Sequence, residues 1–236
     1  MTADGLAERV TRDGFAVAEG VLGAREVERL KASIERAAEG RGARRRGGVY
    51  AVRNLLDVVP ETRALAGSAA VRALVEPLLG PACFVVRGIL FDKTPAAPWK
   101  VAWHQDLSIA VRSRAEAEGF GPWSLKAGVV HVQPPAAVLA RMLTVRLHLD
   151  DCDEANGALR VLPGTHASGR LGAAEIEALK GSKGVVTCEV GAGGALLMRP
   201  LLLHSSPAPS EPRRRRVVHL EFAAGRLPCG LEWREA

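Results

Sequence analysis

Six histidines occur among the 236 residues, at positions 104, 131, 148, 166, 204 and 219. One lies in Trp99-Lys-Val-Ala-Trp-His-Gln-Asp106, two positions before a carboxylate. In an extended segment residues i and i+2 leave the same face, so His104 and Asp106 present an imidazole and a carboxylate side by side. Such a pair supplies two adjacent ligands to one metal ion. A third ligand completes a facial triad and leaves up to three positions of an octahedral ion open, which suits Fe(II) that must take both a cosubstrate and dioxygen. The candidate third ligand is His204, which closes the apolar run Ala195–Leu203 and precedes Ser205-Ser206-Pro207. It sits where a strand opens into a loop at a barrel mouth.

Chemistry also attaches to the next strand. Along Arg215–Phe222, residues Arg215, Val217, His219 and Glu221 share one face, and Arg216, Val218, Leu220 and Phe222 the other. A hairpin is expected to return Arg215 toward His204. There its guanidinium would grip a carboxylate with two charge-assisted hydrogen bonds, each contributing roughly 1.5–3 kcal/mol. Lys93, Trp103 and Gln105 flank the His-x-Asp motif as candidate pocket residues. His148, on a strand face with Thr144 and Arg146, could line the same cavity. His131 and His219 read as strand residues with satisfied ring nitrogens, and His166 as a structural residue closing a Pro-Gly-Thr-His turn.

These residues need a scaffold of many short strands. Gly 25 and Pro 14 favour turns. Short β-branched or Leu-rich runs recur at 83–91, 127–133, 142–149, 158–162, 185–190, 195–204 and 215–222, with a further strand at 49–52. Ahead of them, Val27, Leu30 and Ile34 mark a helix over 24–38, and a second helix is read over 62–79 with Pro77 near its end. A third is placed at 173–180. The fold class that follows is mainly β: a jelly roll with N-terminal and flanking helices. One domain over 1–236 is expected, helical to about residue 80 and a barrel over about 83–224.

Composition narrows the function classes. Hydrophobic residues at 47% and charged residues at 25% exclude wholesale disorder. No run approaches eighteen apolar residues, which excludes a transmembrane helix. Four separated cysteines and no secretory leader point to free thiols in a reducing cytoplasm. The net charge of +6 is concentrated in Arg41 with Arg44–Arg46, and in Arg213–Arg216. Three of the latter four arginines read as a solvated edge. Only 4% aromatics and no recognisable nucleic-acid module argue against a nucleic-acid partner. The segment 112–124, with Gly-Phe-Gly-Pro-Trp at 119–123, is a candidate substrate lid or an ordered surface loop.

Three segments together resemble the phytanoyl-CoA dioxygenase family of Fe(II)- and 2-oxoglutarate-dependent oxygenases. They are Trp103-His-Gln-Asp106, the stretch 147–166 (LHLDDCDEANGALRVLPGTH), and His204-Ser-Ser through Arg215. The resemblance spans about Asp13 to Trp233. It implies His104, Asp106 and His204 as iron ligands and Arg215, eleven after His204, as the arginine that binds the distal carboxylate of 2-oxoglutarate. Ser206 matches an assisting hydroxyl. Arg213 is the fallback, because Pro207-Ala-Pro-Ser-Glu-Pro212 departs from the family's Gly- and Asn-rich loop. Asn156-Gly157 is expected to form a turn. With dioxygen as co-reactant, the implied reaction is hydroxylation of a small-molecule or acyl-type substrate, for which the basic residues leave an anionic one open, with release of succinate and CO2. Halogenating relatives carry a small residue at the position of Asp106. The alternative is a cupin-like metalloenzyme without 2-oxoglutarate, a hydrolase or isomerase holding Zn or Mn.

Overall fold

On the central strands of this protein the apolar side chains face outward toward helices and the polar ones face inward. The computed structural model describes residues 3–40, 50–96 and 99–235. The N-terminal third carries helices α1 (Ala3–Asp13), α2 (Ala24–Gly40), α3 (Leu55–Val58), α4 (Glu61–Ala66) and α5 (Ala69–Leu79), with β1 (Phe15–Ala18) and β2 (Tyr50–Val52) between them. Strands follow: β3 (Cys83–Lys93), β4 (Val101–His104), β5 (Ile109–Val111), β6 (Trp123–Lys126) and β7 (Val129–Val132). After a short α6 (Ala136–Leu139) come β8 (Leu143–His148), β9 (Leu159–Val161), α7 (Ala173–Ser182), β10 (Val186–Cys188), β11 (Ala195–Met198), β12 (His204–Ser206) and β13 (Arg215–Ala224).

A six-stranded antiparallel sheet runs β1-β11-β8-β13-β3-β2, and a four-stranded sheet runs β10-β9-β12-β4. A small third sheet, β5-β7-β6, lies beside them. Leu143, Val145 and Leu147 of β8 and Val218, Leu220 and Phe222 of β13 are buried with Val10, Val27, Leu30, Ile34, Leu55, Val71 and Val75 from the helices. Each such side chain contributes about 1.5–3 kcal/mol on burial. The opposite face of the six-stranded sheet meets the four-stranded one. Leu159, Val161, Leu196, Met198 and Leu202 form an apolar cluster there, and the remaining space is polar. This is the mainly β jelly roll expected from the strand pattern.

Several boundaries differ from the sequence reading. The expected helix over 62–79 is two helices, because Gly67-Ser68 breaks it and the Ser68 hydroxyl caps α5 by accepting from the Val71 N–H at 3.4 Å. The expected strand over 195–204 is also two. β11 lies in the six-stranded sheet and β12 in the four-stranded one, with Arg199–Leu203 crossing between them. Helix α1 and strand β1 carry no signal that the pattern reading caught. Within 112–124 the chain forms an ordered surface segment: Phe120 is buried with Ile109, Val132 and Leu139, and Trp123 begins β6. The first arginine cluster, 41 and 44–46, lies outside the described residues.

The second cluster is a solvated edge only in part: Arg213 and Arg214 are exposed, as expected, while Arg216 is not. Arg216 is buried and donates to Asp150 from Nε and Nη2, both at 2.8 Å, and to Glu35 at 3.0 Å. Arg214 pairs with Asp92 and Glu35, each at 3.0 Å. Arg213 is exposed and pairs with Asp153. These pairs fasten α2 to the end of the six-stranded sheet. Burial acts to raise the Asp150 carboxyl, but the side-chain and backbone hydrogen bonds from Arg216 outweigh it and hold it below the usual carboxylate range. A depressed folded-state value means stability that is present above the unfolded value near 4 and lost as pH falls through the folded one. Asp150→Asn is expected to cost about 2–3 kcal/mol at pH 7, since it leaves Arg216 only Glu35. Urea unfolding across pH should also show the variant losing less stability than wild type on acidification.

Candidate metal centre

Strands β4 and β12 pair antiparallel, with His104 directly opposite His204. The two imidazole rings stand 4.2 Å apart between centroids. Asp106 follows β4 and is fixed by its own N–H, which donates to the Pro200 carbonyl at 2.9 Å. Its carboxylate oxygens lie 3.8 Å from His104 Nε2 and 3.7 Å from His204 Nε2. Each ring's other nitrogen meets a backbone carbonyl: His104 Nδ1 at Ala102 O, 2.8 Å, and His204 Nδ1 at Leu202 O, 2.9 Å. A carbonyl only accepts, so both Nδ1 atoms carry a proton and Nε2 is the ring atom each histidine turns toward Asp106. One ligand atom from each of the three residues lies within 4.8 Å of the others. Two imidazoles and one carboxylate on one side of a cavity fit a divalent first-row metal, and they match the donor set that leaves positions open on non-heme Fe(II).

The electrostatics favour the metal-binding forms. Burial, the dominant influence, pulls His204 down to about 4, so it is neutral at neutral pH as a ligand must be. Burial acts to raise Asp106, but the surrounding histidines and Arg146 outweigh it and hold the carboxyl at about 2. The His204 side chain is 4% exposed, while those of His104 and Asp106 are 40% and 33% exposed. The centre therefore opens on the side of β4.

A cavity of about 110 Å³ adjoins these three residues. Arg215 and Ser206 line its far part. Strand β13 does not form a hairpin with β12, as expected from sequence; it pairs with β3 and β8 in the other sheet. Arg215 instead reaches across the barrel, donating to Ser206 Oγ at 3.3 Å, to Cys152 Sγ at 3.3 Å and to the Gly157 carbonyl. Lys93, opposite Arg215 on β3, donates to Ser206 Oγ at 2.8 Å and lies 4.9 Å above the Trp99 ring. Burial, with Arg215 and Arg146 nearby, pulls the Lys93 ammonium down to about 7.

The remaining candidates divide. Trp103 does not line the cavity; Trp99 does. Gln105 is buried but structural: it donates to Gly169 O and Leu201 O at 2.8 and 2.7 Å and accepts from the Leu171 N–H. Arg213, the fallback for Arg215, lies outside the cavity because it is exposed and held by Asp153. No residue of 112–124 lines the cavity. His148 is buried on the inner face, both ring nitrogens without a hydrogen-bond partner among the described residues, but it is not part of the cavity wall. His131 and His166 bond to the backbone carbonyls of Val129 and Thr11, away from the site.

Two titratable cavity residues escaped the sequence reading of the site, along with the apolar wall, Trp99 and Ser205. Arg146 lines the wall facing the metal ligands, and His219, expected to be merely satisfied, lines it too. His219 Nδ1 accepts from Arg146 Nη1 at 2.9 Å, so Nε2 carries the proton and donates to Glu221 at 3.2 Å. Arg87 completes the chain, donating to Glu221 at 3.1 Å. Strand alternation had placed Arg146 on His148's face and His219 on Arg215's, and no motif singled either out.

The segment 147–166 also gains a role. Asn156 and Gly157 form the expected turn, with Asn156 N–H donating to Asp153 at 2.8 Å and Gly157 at φ +74°. The Asn156 side chain accepts from the Arg213 N–H at 3.0 Å, and the Gly157 carbonyl receives both Arg215 and Ser206. A Cβ on Gly157 would lie 2.8 Å from the Pro207 carbonyl. The turn thus braces the loop between His204 and Arg215.

The family model for phytanoyl-CoA dioxygenase matches residues 10–217. The chain belongs to that family. No curated protein matches it. Among solved structures it is similar to the epimerase SnoN in complex with Fe3+, alpha ketoglutarate and nogalamycin RO, at 22% identity over 94% of this chain and 83% of that one, TM-score 0.71. It is similar also to the carbocyclase SnoK from nogalamycin biosynthesis, at 18% identity over 95% and 86%, TM-score 0.74. A third is EctD from S. alaskensis with 2-oxoglutarate and 5-hydroxyectoine, at 20% identity over 95% and 76%, TM-score 0.71. At these identities the likeness establishes the shared fold. Among the described residues no helix is long and apolar enough to cross a membrane.

Replacing His104, Asp106 or His204 singly by Ala is expected to weaken Co(II) binding by more than about 100-fold, beyond the loss typical of outer-shell changes. Calorimetric titration of each variant measures this, and Gln105→Ala, outside the donor set, should lose no more than the roughly 10–100-fold of an outer-shell change.

Proposed function

We propose that this chain is an Fe(II)- and 2-oxoglutarate-dependent dioxygenase that hydroxylates an unactivated C–H of a small-molecule or acyl-type substrate. The observation that carries this reading is one small cavity lined both by a two-histidine, one-carboxylate cluster and by a buried arginine with a serine. Family membership supports it, as do Fe3+ and alpha ketoglutarate in SnoN and 2-oxoglutarate in EctD. His104, Asp106 and His204 would hold Fe(II). Arg215 and Ser206 would hold the distal carboxylate of 2-oxoglutarate. When bound, iron, 2-oxoglutarate and dioxygen supply the oxidising chemistry, with succinate and CO2 as products.

The protein's own part is positioning and exclusion. The Ala102 and Leu202 carbonyls set both imidazoles with Nε2 toward the site, a second layer of bonds that fixes ring orientation. Arg215 is held by Gly157 and Ser206 before any ligand arrives, so little side-chain freedom is lost when a carboxylate docks. Leu159, Phe91 and Val101 form apolar wall and keep bulk water from the reacting atoms. The exposed edges of His104 and Asp106 face the approach for substrate. Hydroxylation is favoured over halogenation because a carboxylate, not a small residue, stands at 106. The domain reading is a single oxygenase unit over 1–236, and the four unpaired cysteines suit the reducing cytoplasm.

Anaerobic addition of Fe(II) and 2-oxoglutarate to wild type is expected to give a weak visible charge-transfer band. Asp106→Ala combined with His204→Ala should abolish it, and a wild type without the band would sink the assignment. Arg215→Gln should weaken 2-oxoglutarate about 10–100-fold, the equivalent of one or two charge-assisted hydrogen bonds. Substrate-stimulated succinate release separates this reading from a metal-dependent hydrolase or isomerase on the same barrel.

A further inference from the structure

Among the described residues Arg146 is a buried cation without an ion-pair partner; Asp106 acts on it only from beyond contact distance. It is only 8% exposed, its Nε is buried without a partner, and its hydrogen bond to protein is to the neutral Nδ1 of His219. Among the described residues no carboxylate lies within ion-pair distance of it, unlike Arg214 and Arg216 on the outer face. The Phe91 ring, 5.3 Å away, offers a weaker cation–π contact. A buried guanidinium left this way is costly unless an anion completes it. Since Arg146 lines the same cavity as His104, Asp106 and His204, the anion it awaits is one that enters that cavity.

Cavity size and strand register identify it. At about 110 Å³ the space is well below pockets that enclose drug-sized ligands, and it suits one small organic acid. Arg146 stands opposite His219 on β13, and Arg215 lies four residues earlier on that strand, at the Ser206 end. The two guanidinia therefore address different parts of one cavity. A dicarboxylate held by Arg215 at its distal end must direct its other carboxylate away from Ser206, toward the wall that Arg146 occupies. We propose that Arg146 is a second cosubstrate-binding arginine, specific for the carboxylate adjacent to the keto group of a 2-oxo acid. His219 is its positioning residue: fixed as the Nε2–H tautomer by Glu221, it offers Nδ1 to one Nη and leaves the rest of the guanidinium facing the cavity. This rests on the 2-oxoglutarate reading above and adds a residue and a polarity to it. The acid is gripped at both ends while it is intact.

The test compares 2-oxoglutarate with levulinate, which keeps the keto group and the distal carboxylate but carries a methyl in place of the other carboxylate. Both are titrated calorimetrically into Ni(II)-loaded wild type and variants. Arg146→Gln should weaken 2-oxoglutarate about 10–100-fold and levulinate by less than about 3-fold, with partial recovery in Arg146→Lys. Arg215→Gln should weaken both. Equal loss for the two ligands in Arg146→Gln, or unchanged 2-oxoglutarate affinity, overturns the proposal. If wild type binds neither ligand, the 2-oxoglutarate reading falls with it. Arg146→Met provides a second variant. Removing an uncompensated buried charge should raise or preserve the ligand-free melting temperature and shrink the rise produced by Ni(II) with 2-oxoglutarate. An undiminished rise counts against the assignment.

Discussion

Everything at the centre depends on one backbone register, the pairing that sets His104 opposite His204 across β4 and β12. A slip by one residue would turn either imidazole to the other face of its strand. Such short strands could not resist slipping alone. β9 pairs on the other side of β12, the Asp106 N–H is tied to Pro200, and Gln105 ties the β4 end to Gly169, Leu171 and Leu201. Gln105, a residue between two candidate ligands, points away from the cavity and yet locks the geometry on which both rely.

A second constraint follows from turning polar strand faces inward. The inner faces of β8 and β13 carry Thr144, Arg146, His148, Arg215, His219 and Glu221. In an ordinary half-exposed sheet such residues would meet water. Here helices cover the other face, so the polar groups must satisfy one another or await a ligand. Glu221 answers Arg87 and His219, and Asp106 faces the histidines. Arg146 and Arg215 are left in excess. The formal charge of +6 thus has a component inside the barrel, away from the surface a macromolecule would meet.

Legibility in the sequence followed the range of the signal. His104 and Asp106 were readable because two-residue periodicity puts them on one face, and Arg215 because the same rule separated it from Arg214 and Arg216. The jelly roll was readable from recurrent short strands between turn residues. The crossing at Arg199–Leu203 was not, since the apolar run through Leu203 continues unbroken while the chain changes sheets. Nor could the arginine pairs be seen: Arg216 finds Glu35 and Asp150 at separations of 181 and 66 residues. Arg146 was visible as an inward-facing residue, but its lack of an anion is a property of the assembled barrel.

The order of strands along the chain also bears on how the protein acquires its site. β13 lies between β3 and β8 in the six-stranded sheet, C-terminal to both, and β12 joins β4 across one hundred residues. These pairings close long loops, which makes such topologies slow to fold. Until β12 docks, His104 has no partner across the strand. Until β13 docks, the inner faces of β3 and β8 stay hydrated. The His-Asp-His cluster therefore assembles late in folding, and in a partly folded chain its two histidines are still apart.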